Sequence, residues 1–216
     1  MKKSIFIALV LTLACYRDKR PMQSSSAAPP PARSSAAAGA PSITLTSTDG
    51  KPVVEITPSG SDVIVSFNDN GSQQSLRGHV RENGKRKYAG SDGKVVVEVK
   101  PSEEGFKVRT ADGKLLWKIK KSEDKVKISD NEENRNPYEL KNKEGKIKVY
   151  APADRLLGEV KYYGDKQRVE VKDAAGHELF RANALQVQPS FGVALLDRIP
   201  ARERAIIMAE LAAPLH

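Results

Sequence analysis

The chain has 216 residues and a formal net charge of +9, with 39% hydrophobic and 29% charged residues, a mixture typical of a globular domain. No apolar run approaches the roughly 20 residues that a membrane-spanning helix needs, so we expect no such helix. The single cysteine, Cys15, has no second cysteine to pair with, so the folded part must be stable without disulfides.

The N-terminus has the three parts of an export signal. Lysines follow the initiating methionine, an apolar run extends from Ile5 to Ala14, and the small residue Ala14 precedes Cys15. This order predicts a secretory signal peptide over residues 1–14. The alternative is a buried N-terminal helix or strand with an incidental cysteine.

The residues Thr12-Leu13-Ala14-Cys15 resemble the lipobox of bacterial lipoproteins. The resemblance implies cleavage before Cys15, with diacylglycerol on its sulfur and a third acyl chain on its new amino group. Two or three chains anchor a protein stably, whereas one chain holds it only marginally. Tyr16, rather than Asp, follows Cys15, which resembles lipoproteins sorted to the outer membrane of two-membrane bacteria. We therefore expect an exported protein anchored to the cell envelope, facing the periplasm or the cell surface.

Residues 15–42 are expected to form a disordered tether. From Gln23 to Ser42 the sequence is almost wholly Ser, Ala, Pro and Gly, and it contains no large apolar side chain. Such a segment cannot bury enough surface to offset the entropy of ordering it.

Residues 43–182 show the repeated hairpins of an all-β domain. Four turns share an acidic residue, glycine and lysine: Thr48–Lys51, Ser91–Lys94, Ala111–Lys114 and Lys143–Lys146. Glycine supplies the positive φ angle that such turns need, so each predicts a β-hairpin. Similar segments recur at offsets of 41 and 43 residues, which predicts three units of about four strands each, or about twelve strands.

The C-terminus predicts an apolar helix over residues 201–213, between Pro200 and Pro214. Apolar residues surround the helix axis almost completely, with Glu210 as the main polar exception, so we expect protein on all sides. The side chains expected to be buried are Ile206, Ile207, Met208 and Leu211. The predicted fold of residues 43–216 is therefore a mainly β domain, an antiparallel barrel enclosing this helix.

A barrel around an apolar C-terminal helix resembles the tubby C-terminal-like architecture, shared by tubby proteins, phospholipid scramblases and LURP-one-related proteins. The segment from Phe191-Gly192 through an apolar run and Asp197 to Pro200 is similar to the scramblase C-terminus. The resemblance implies phospholipid binding or movement. The Asp-Gly turns also resemble those of YD repeats in Rhs-type shells, although the Tyr-Asp pairs of that family are absent.

The sequence suggests no catalytic, metal or cofactor site. His79, His177 and His216 lack the spacing of metal ligands, and no phosphate-binding Gly-Lys-Ser/Thr loop is present. Residues 43–216 contain 30 basic and 26 acidic residues. This balance indicates interspersed charges, and we therefore expect no nucleic-acid partner.

Two functional hypotheses follow, with an enzyme as a minor third. The first is a non-catalytic, lipid-anchored envelope protein whose β domain is a binding or scaffold module for another envelope protein. The second is a barrel that binds or moves phospholipid. In both, the acyl chains on Cys15 attach the protein to the membrane, and no cofactor is required.

Overall fold

Fourteen antiparallel strands form a closed barrel in the structure, a computed structural model that describes residues 42–212. The strands are β1 (Ile43–Ser47), β2 (Pro52–Ser59), β3 (Asp62–Asp69), β4 (Ser72–Val80), β5 (Arg86–Ala89), β6 (Val95–Ser102), β7 (Gly105–Thr110), β8 (Leu115–Lys121), β9 (Lys125–Ser129), β10 (Tyr138–Lys143), β11 (Lys146–Ala151), β12 (Arg155–Tyr163), β13 (Arg168–Asp173) and β14 (Glu178–Ala182). The predicted signal peptide, Cys15 and nearly all of the proposed tether lie outside the described residues.

The order of the strands around the barrel follows their order in the chain. Each strand pairs with its neighbours in sequence, and β1 pairs with β14 to close the ring, with Leu45 opposite Ala182. Loops after the odd-numbered strands therefore lie at one end, which we call the odd rim. Loops after the even-numbered strands lie at the other end, the even rim. The predicted barrel class is confirmed.

The strand count differs from the expected twelve. The 43-residue offset relates β2 to β6, and the 41-residue offset relates β7 to β11, so each repeat does contain four strands. Residues 43–182, however, accommodate three and a half such repeats. The additional hairpin gives fourteen strands.

A recurrent turn bends the sheet at the odd rim. In the β1–β2 turn, the N–H of Gly50 donates to the carbonyl of Ser47 at 2.9 Å, and the N–H of Ser47 donates to the carbonyl of Lys51 at 2.9 Å. The same pattern recurs in the β5–β6, β7–β8 and β13–β14 turns. These hairpins and β11–β12 contain β-bulges. Bulges increase twist and curvature, and thereby favour closure.

A helical hairpin fills the barrel. It comprises α1 (Pro189–Gly192), a 3-10 turn (Val193–Leu195) and α2 (Ala201–Ala212). Gly192 packs closely enough on β11 that a Cβ there would lie 2.9 Å from Cγ2 of Val149. A barrel of this many strands leaves a lumen that a few inward side chains cannot fill alone. Two antiparallel helical segments occupy it where the sequence predicted one helix.

The core lies between the inner face of the barrel and this hairpin. Strand residues alternate between buried and more exposed positions, as Val63, Val65 and Phe67 show in β3. On the hairpin, Phe191, Leu196 and Ile199 are fully buried. No helix within residues 42–212 has the length and apolar composition to cross a bilayer.

Candidate interaction surface

Basic and acidic residues occupy different parts of the barrel, although their total numbers are nearly balanced. Strands β6–β13 contain 16 basic and five acidic residues, whereas β1–β5 and β14 together contain four of each. The loops between β6 and β13 contain 11 acidic and three basic residues. The expectation of interspersed charges is therefore wrong, because the count of basic and acidic residues over 43–216 did not separate strands from loops. One half of the barrel presents a basic outer wall between acidic rims.

Lysines on this wall lie directly opposite other lysines. Their alternation with buried residues such as Val126 and Ile147 directs them outward. Seven cross-strand pairs result: Lys100–Lys107, Lys107–Lys118, Lys120–Lys127, Lys125–Lys141, Lys141–Lys148, Lys143–Lys146 and Lys146–Lys161. Like charges directly opposite each other on a sheet destabilise it.

Carboxylates neutralise part of this wall. Glu132 accepts hydrogen bonds from Lys107 at 2.6 Å and Arg109 at 2.8 Å. Glu139 forms ion pairs with Lys141 at 2.7 Å and Lys127 at 3.2 Å. The hydrogen bond from Lys107 holds the pKa of Glu132 below its usual value, and that from Lys141 does the same for Glu139.

Six lysines cluster on β9–β12, and most of them lack a carboxylate partner within the described residues. We call six residues the lysine face: Lys125, Lys141, Lys143, Lys146, Lys148 and Lys161. Within residues 42–212, four of them form no ion pair: Lys125, Lys143, Lys148 and Lys161. This cluster is the candidate interaction surface.

Aromatic rings border the lysine face. The ammonium group of Lys141 lies 4.8 Å from the ring centroid of Tyr150, and that of Lys161 lies 5.1 Å from the ring centroid of Tyr163. Such cation–π contacts are worth about 0.5–1 kcal/mol at exposed sites. They hold two of the ammonium groups close to the wall.

A second polar cluster lies inside the barrel, near the even rim. Oε1 of Glu210 accepts hydrogen bonds from Nη1 of Arg86 at 2.9 Å and from the hydroxyl of Tyr88 at 2.6 Å. The Arg86 and Glu210 side chains are only 7% and 1% exposed. Burial raises the pKa of Glu210, and Arg86 opposes that shift. Because breaking a buried ion pair is strongly destabilising, this cluster fixes the end of α2 against β5.

The other end of α2 has a similar anchor. The indole N–H of Trp117 on β8 donates to Oε2 of Glu203. Residues seven apart lie on one helix face, so Glu203 and Glu210 both point toward this part of the wall. Sequence reasoning assigned Glu210 to a polar face and missed both anchors. The available signal was an acidic residue in an otherwise apolar helix, which requires a partner if the helix is enclosed.

Three of the four helix residues predicted to be buried are fully buried, and the fourth is only partly buried. Ile206, Ile207 and Met208 are buried inside the barrel. Leu211, expected to be buried, is only partly so, because it lies in the last turn of α2 near the even rim. Cys15, Ala213 and His216 lie outside the described residues.

The His, Cys, Asp and Glu side chains of the described residues were the candidates for a metal site. Across residues 42–212, no group of three or more His, Cys, Asp or Glu side chains is arranged to hold a metal ion. His79 contacts Asp62 at 2.6 Å, and His177, just before β14, contacts Asp173 at 3.0 Å. Both are pairwise surface contacts.

Comparison with known proteins adds no assignment: the chain matches no family model, no curated protein and no solved structure.

Proposed function

We propose that this protein is a non-catalytic, lipid-anchored envelope protein whose barrel binds an anionic phospholipid surface through the lysine face. The observation that supports this is the set of directly opposed lysine pairs on β6–β12. Each pair contains a lysine that also contacts a carboxylate, so part of the repulsion is relieved within the barrel, and a surface with many negative charges would relieve the rest. The proposal favours the lipid-binding alternative over a scaffold that binds only protein.

The lysine face suits a membrane better than a single small anion. Lysine is a compact, mobile point charge, whereas bidentate recognition of one phosphate favours arginine. Six lysines on four neighbouring strands form a broad surface, because neighbouring strands lie about 4.8 Å apart. Each basic residue close to an anionic membrane contributes about 1 kcal/mol, and salt weakens the attraction.

The proposed anchor strengthens this interaction. A flexible tether over residues 15–42 would span on the order of 30 Å, taking 5–6 Å multiplied by the square root of the residue number. The barrel would then remain close to the bilayer that holds the acyl chains on Cys15. Weak contacts of the lysine face become effective because the second binding event is intramolecular.

The test is vesicle co-sedimentation of the full chain bearing Cys15→Ser, so that acyl chains contribute nothing. Vesicles of phosphatidylcholine are compared with vesicles that also contain phosphatidylglycerol. In the test variant, Lys143, Lys146 and Lys161 are changed to Glu. Loss of three contacts at about 1 kcal/mol each predicts binding to anionic vesicles at least about 100-fold weaker.

A matched control makes the same charge change elsewhere, with Lys51, Lys94 and Lys114 replaced by Glu in exposed turns. This variant should bind anionic vesicles nearly as well as the parent. If both variants lose the same amount of binding to anionic vesicles, net charge alone explains the loss. If the parent protein binds neutral and anionic vesicles equally, the proposal is contradicted. Stronger binding to duplex DNA than to anionic vesicles would assign the face to nucleic acid instead.

A further inference from the structure

The barrel wall has a gap at the odd rim, beside β4. Strand β4 has nine residues and β5 has four, and the two pair only from Arg77–Ala89 to Val80–Arg86. Residues Ser72–Leu76 pair with β3 on one side, and no strand of residues 42–212 pairs with them on the other. We call this segment the β4 edge.

The turn before the β4 edge determines which backbone groups are free. Asn70 and Gly71 form a two-residue loop with φ angles of 50° and 83°, and Asp69 lies opposite Ser72. In such a hairpin the flanking residues exchange both hydrogen bonds, and the pattern alternates along the strand. The backbone groups of Gln73 and Ser75 therefore point away from β3, into the gap.

A groove of about 690 Å³ lies along this edge. Its lining includes the apolar side chains of Phe67, Leu76 and Val96, and the carboxylates of Asp69 and Asp92. Arg202, in the first turn of α2, is the basic residue among the lining side chains. The groove thus combines an apolar floor, a net negative lining and unpaired backbone donors and acceptors.

The β4 edge also lacks the usual protection against strand addition. Exposed edges commonly have lysine, proline, an inward charge or a bulge that prevents pairing. Residues Ser72–Ser75 are all exposed and uncharged, in a chain of which 29% is charged. The β3–β4 pairing is regular through this region, without a register shift.

We propose that the β4 edge binds an extended peptide segment of a partner protein as an added strand. The free groups of Gln73 and Ser75 recognise peptide backbone, which a lipid or a sugar does not supply in this spacing. The peptide residue opposite Gln74 faces inward, on the side of Phe67 and Leu76, and is therefore apolar. Basic residues beside it complement the carboxylate of Asp92, in the β5–β6 turn that borders the groove. Asp69 does not contribute to this preference, because it lies on the same inward side of β3 as Phe67. A second copy of the barrel fits less well, because pairing two β4 edges would bring the same carboxylates together.

The probe is a capped, fluorescent pentapeptide, Thr-Lys-Val-Lys-Thr, titrated into the full chain and followed by fluorescence polarisation. A matched peptide bears N-methyl groups on both lysine amides, which removes the donors while keeping the side chains and charge. Saturable binding of the first peptide and none of the second is expected. Amide hydrogen exchange at Gln73 and Ser75 should slow when the unmodified peptide is bound.

Two variants test the protein side. Ser75→Pro removes an N–H that points into the groove but leaves every backbone hydrogen bond to β3, and it should abolish binding. The contact between the Ser66 and Ser75 hydroxyls is lost equally in Ser75→Ala. Ser75→Ala keeps that N–H and should bind as the parent does. If Ser75→Pro fails to fold, the comparison of the two peptides still tests whether binding depends on backbone hydrogen bonds.

Three results would overturn the proposal. They are no saturable binding of the unmodified peptide, equal binding of both peptides, or a dimer whose Ser75 amide is already protected without peptide. The last result would assign the β4 edge to a second copy. None of these readouts depends on lipid, so failure here is distinct from failure of the lysine face.

Discussion

Gly78→Ala should destabilise the barrel strongly, although it adds a single methyl group. Gly78 lies on β4 directly opposite Tyr88 on β5, and it is buried. A Cβ built at this position would lie 2.7 Å from Cε1 and 2.8 Å from Cζ of Tyr88, and 2.9 Å from Cδ of Arg86. All three distances are shorter than a carbon–carbon contact allows. The ring and the arginine stem must therefore move.

The energetic cost follows from what those side chains hold. Overpacking a dense core costs about 1–3 kcal/mol. Displacing Tyr88 and Arg86 also lengthens their hydrogen bonds to Glu210, and losing one buried hydrogen bond costs about 1 kcal/mol. We expect a loss of about 2–4 kcal/mol from an unfolding free energy of about 5–15 kcal/mol.

Urea denaturation measured by circular dichroism tests this value. Gly164→Ala is the matched control, because its Cβ would make only an ordinary 3.7 Å contact with Tyr162. A double-mutant cycle with Tyr88→Phe separates the hydrogen bond from the overpacking. If the bond to Glu210 is part of the cost, Gly78→Ala should be about 1 kcal/mol less harmful in the Tyr88→Phe background. Equal stabilities for Gly78→Ala and Gly164→Ala would refute the reasoning.

Three further predictions concern the helix, acid stability and the anchor. Ile207→Asp should unfold the domain, because it replaces a buried side chain that contributes about 2–5 kcal/mol with an unpaired charge. Leu211→Asp, at the partly exposed end of α2, should retain a cooperative urea transition. The pKa values of Glu132 and Glu139 are lowered from 4.5 in the folded protein, so the stability that these two carboxylates contribute is present above pH 4.5 and is lost as the pH falls through their folded-state pKa values. The urea midpoint should therefore decrease as the pH is lowered below 4.5. A midpoint that does not change with pH in this range would contradict the prediction. Cys15→Ser should abolish labelling by a fatty-acid analogue and release the protein from membranes, and membrane retention of the unlabelled variant would refute lipidation.

Local patterns in the sequence predicted local structure well. The turn at Asp49-Gly50 and its three counterparts each connect antiparallel neighbours, because their geometry depends on glycine within the turn itself. The helix beginning at Ala201 was also predictable from local sequence, because Pro200 favours the start of a helix and the residues that follow it are strong helix formers.

Features that depend on distant residues were not predictable in this way. Leu45 and Ala182 close the ring across most of the domain, and no local pattern marks them as partners. Arg86 and Glu210 are separated by 124 positions, so neither residue alone reveals the ion pair. The lysine face became visible only when register placed Lys143, Lys146 and Lys161 side by side.

The helical hairpin follows all fourteen strands in the sequence, which has a consequence for the order of folding. Strand pairing begins locally, but the apolar inner face has no cover until residues 189–212 have been synthesised. Contacts between α2 and β3 join residues far apart in sequence, and such non-local contacts slow folding. Because β1 pairs with β14, the ring cannot close before residues 178–182 have been synthesised, shortly before the hairpin itself. The complete barrel is therefore a late product of the chain, and an incompletely synthesised chain exposes an apolar sheet prone to aggregation.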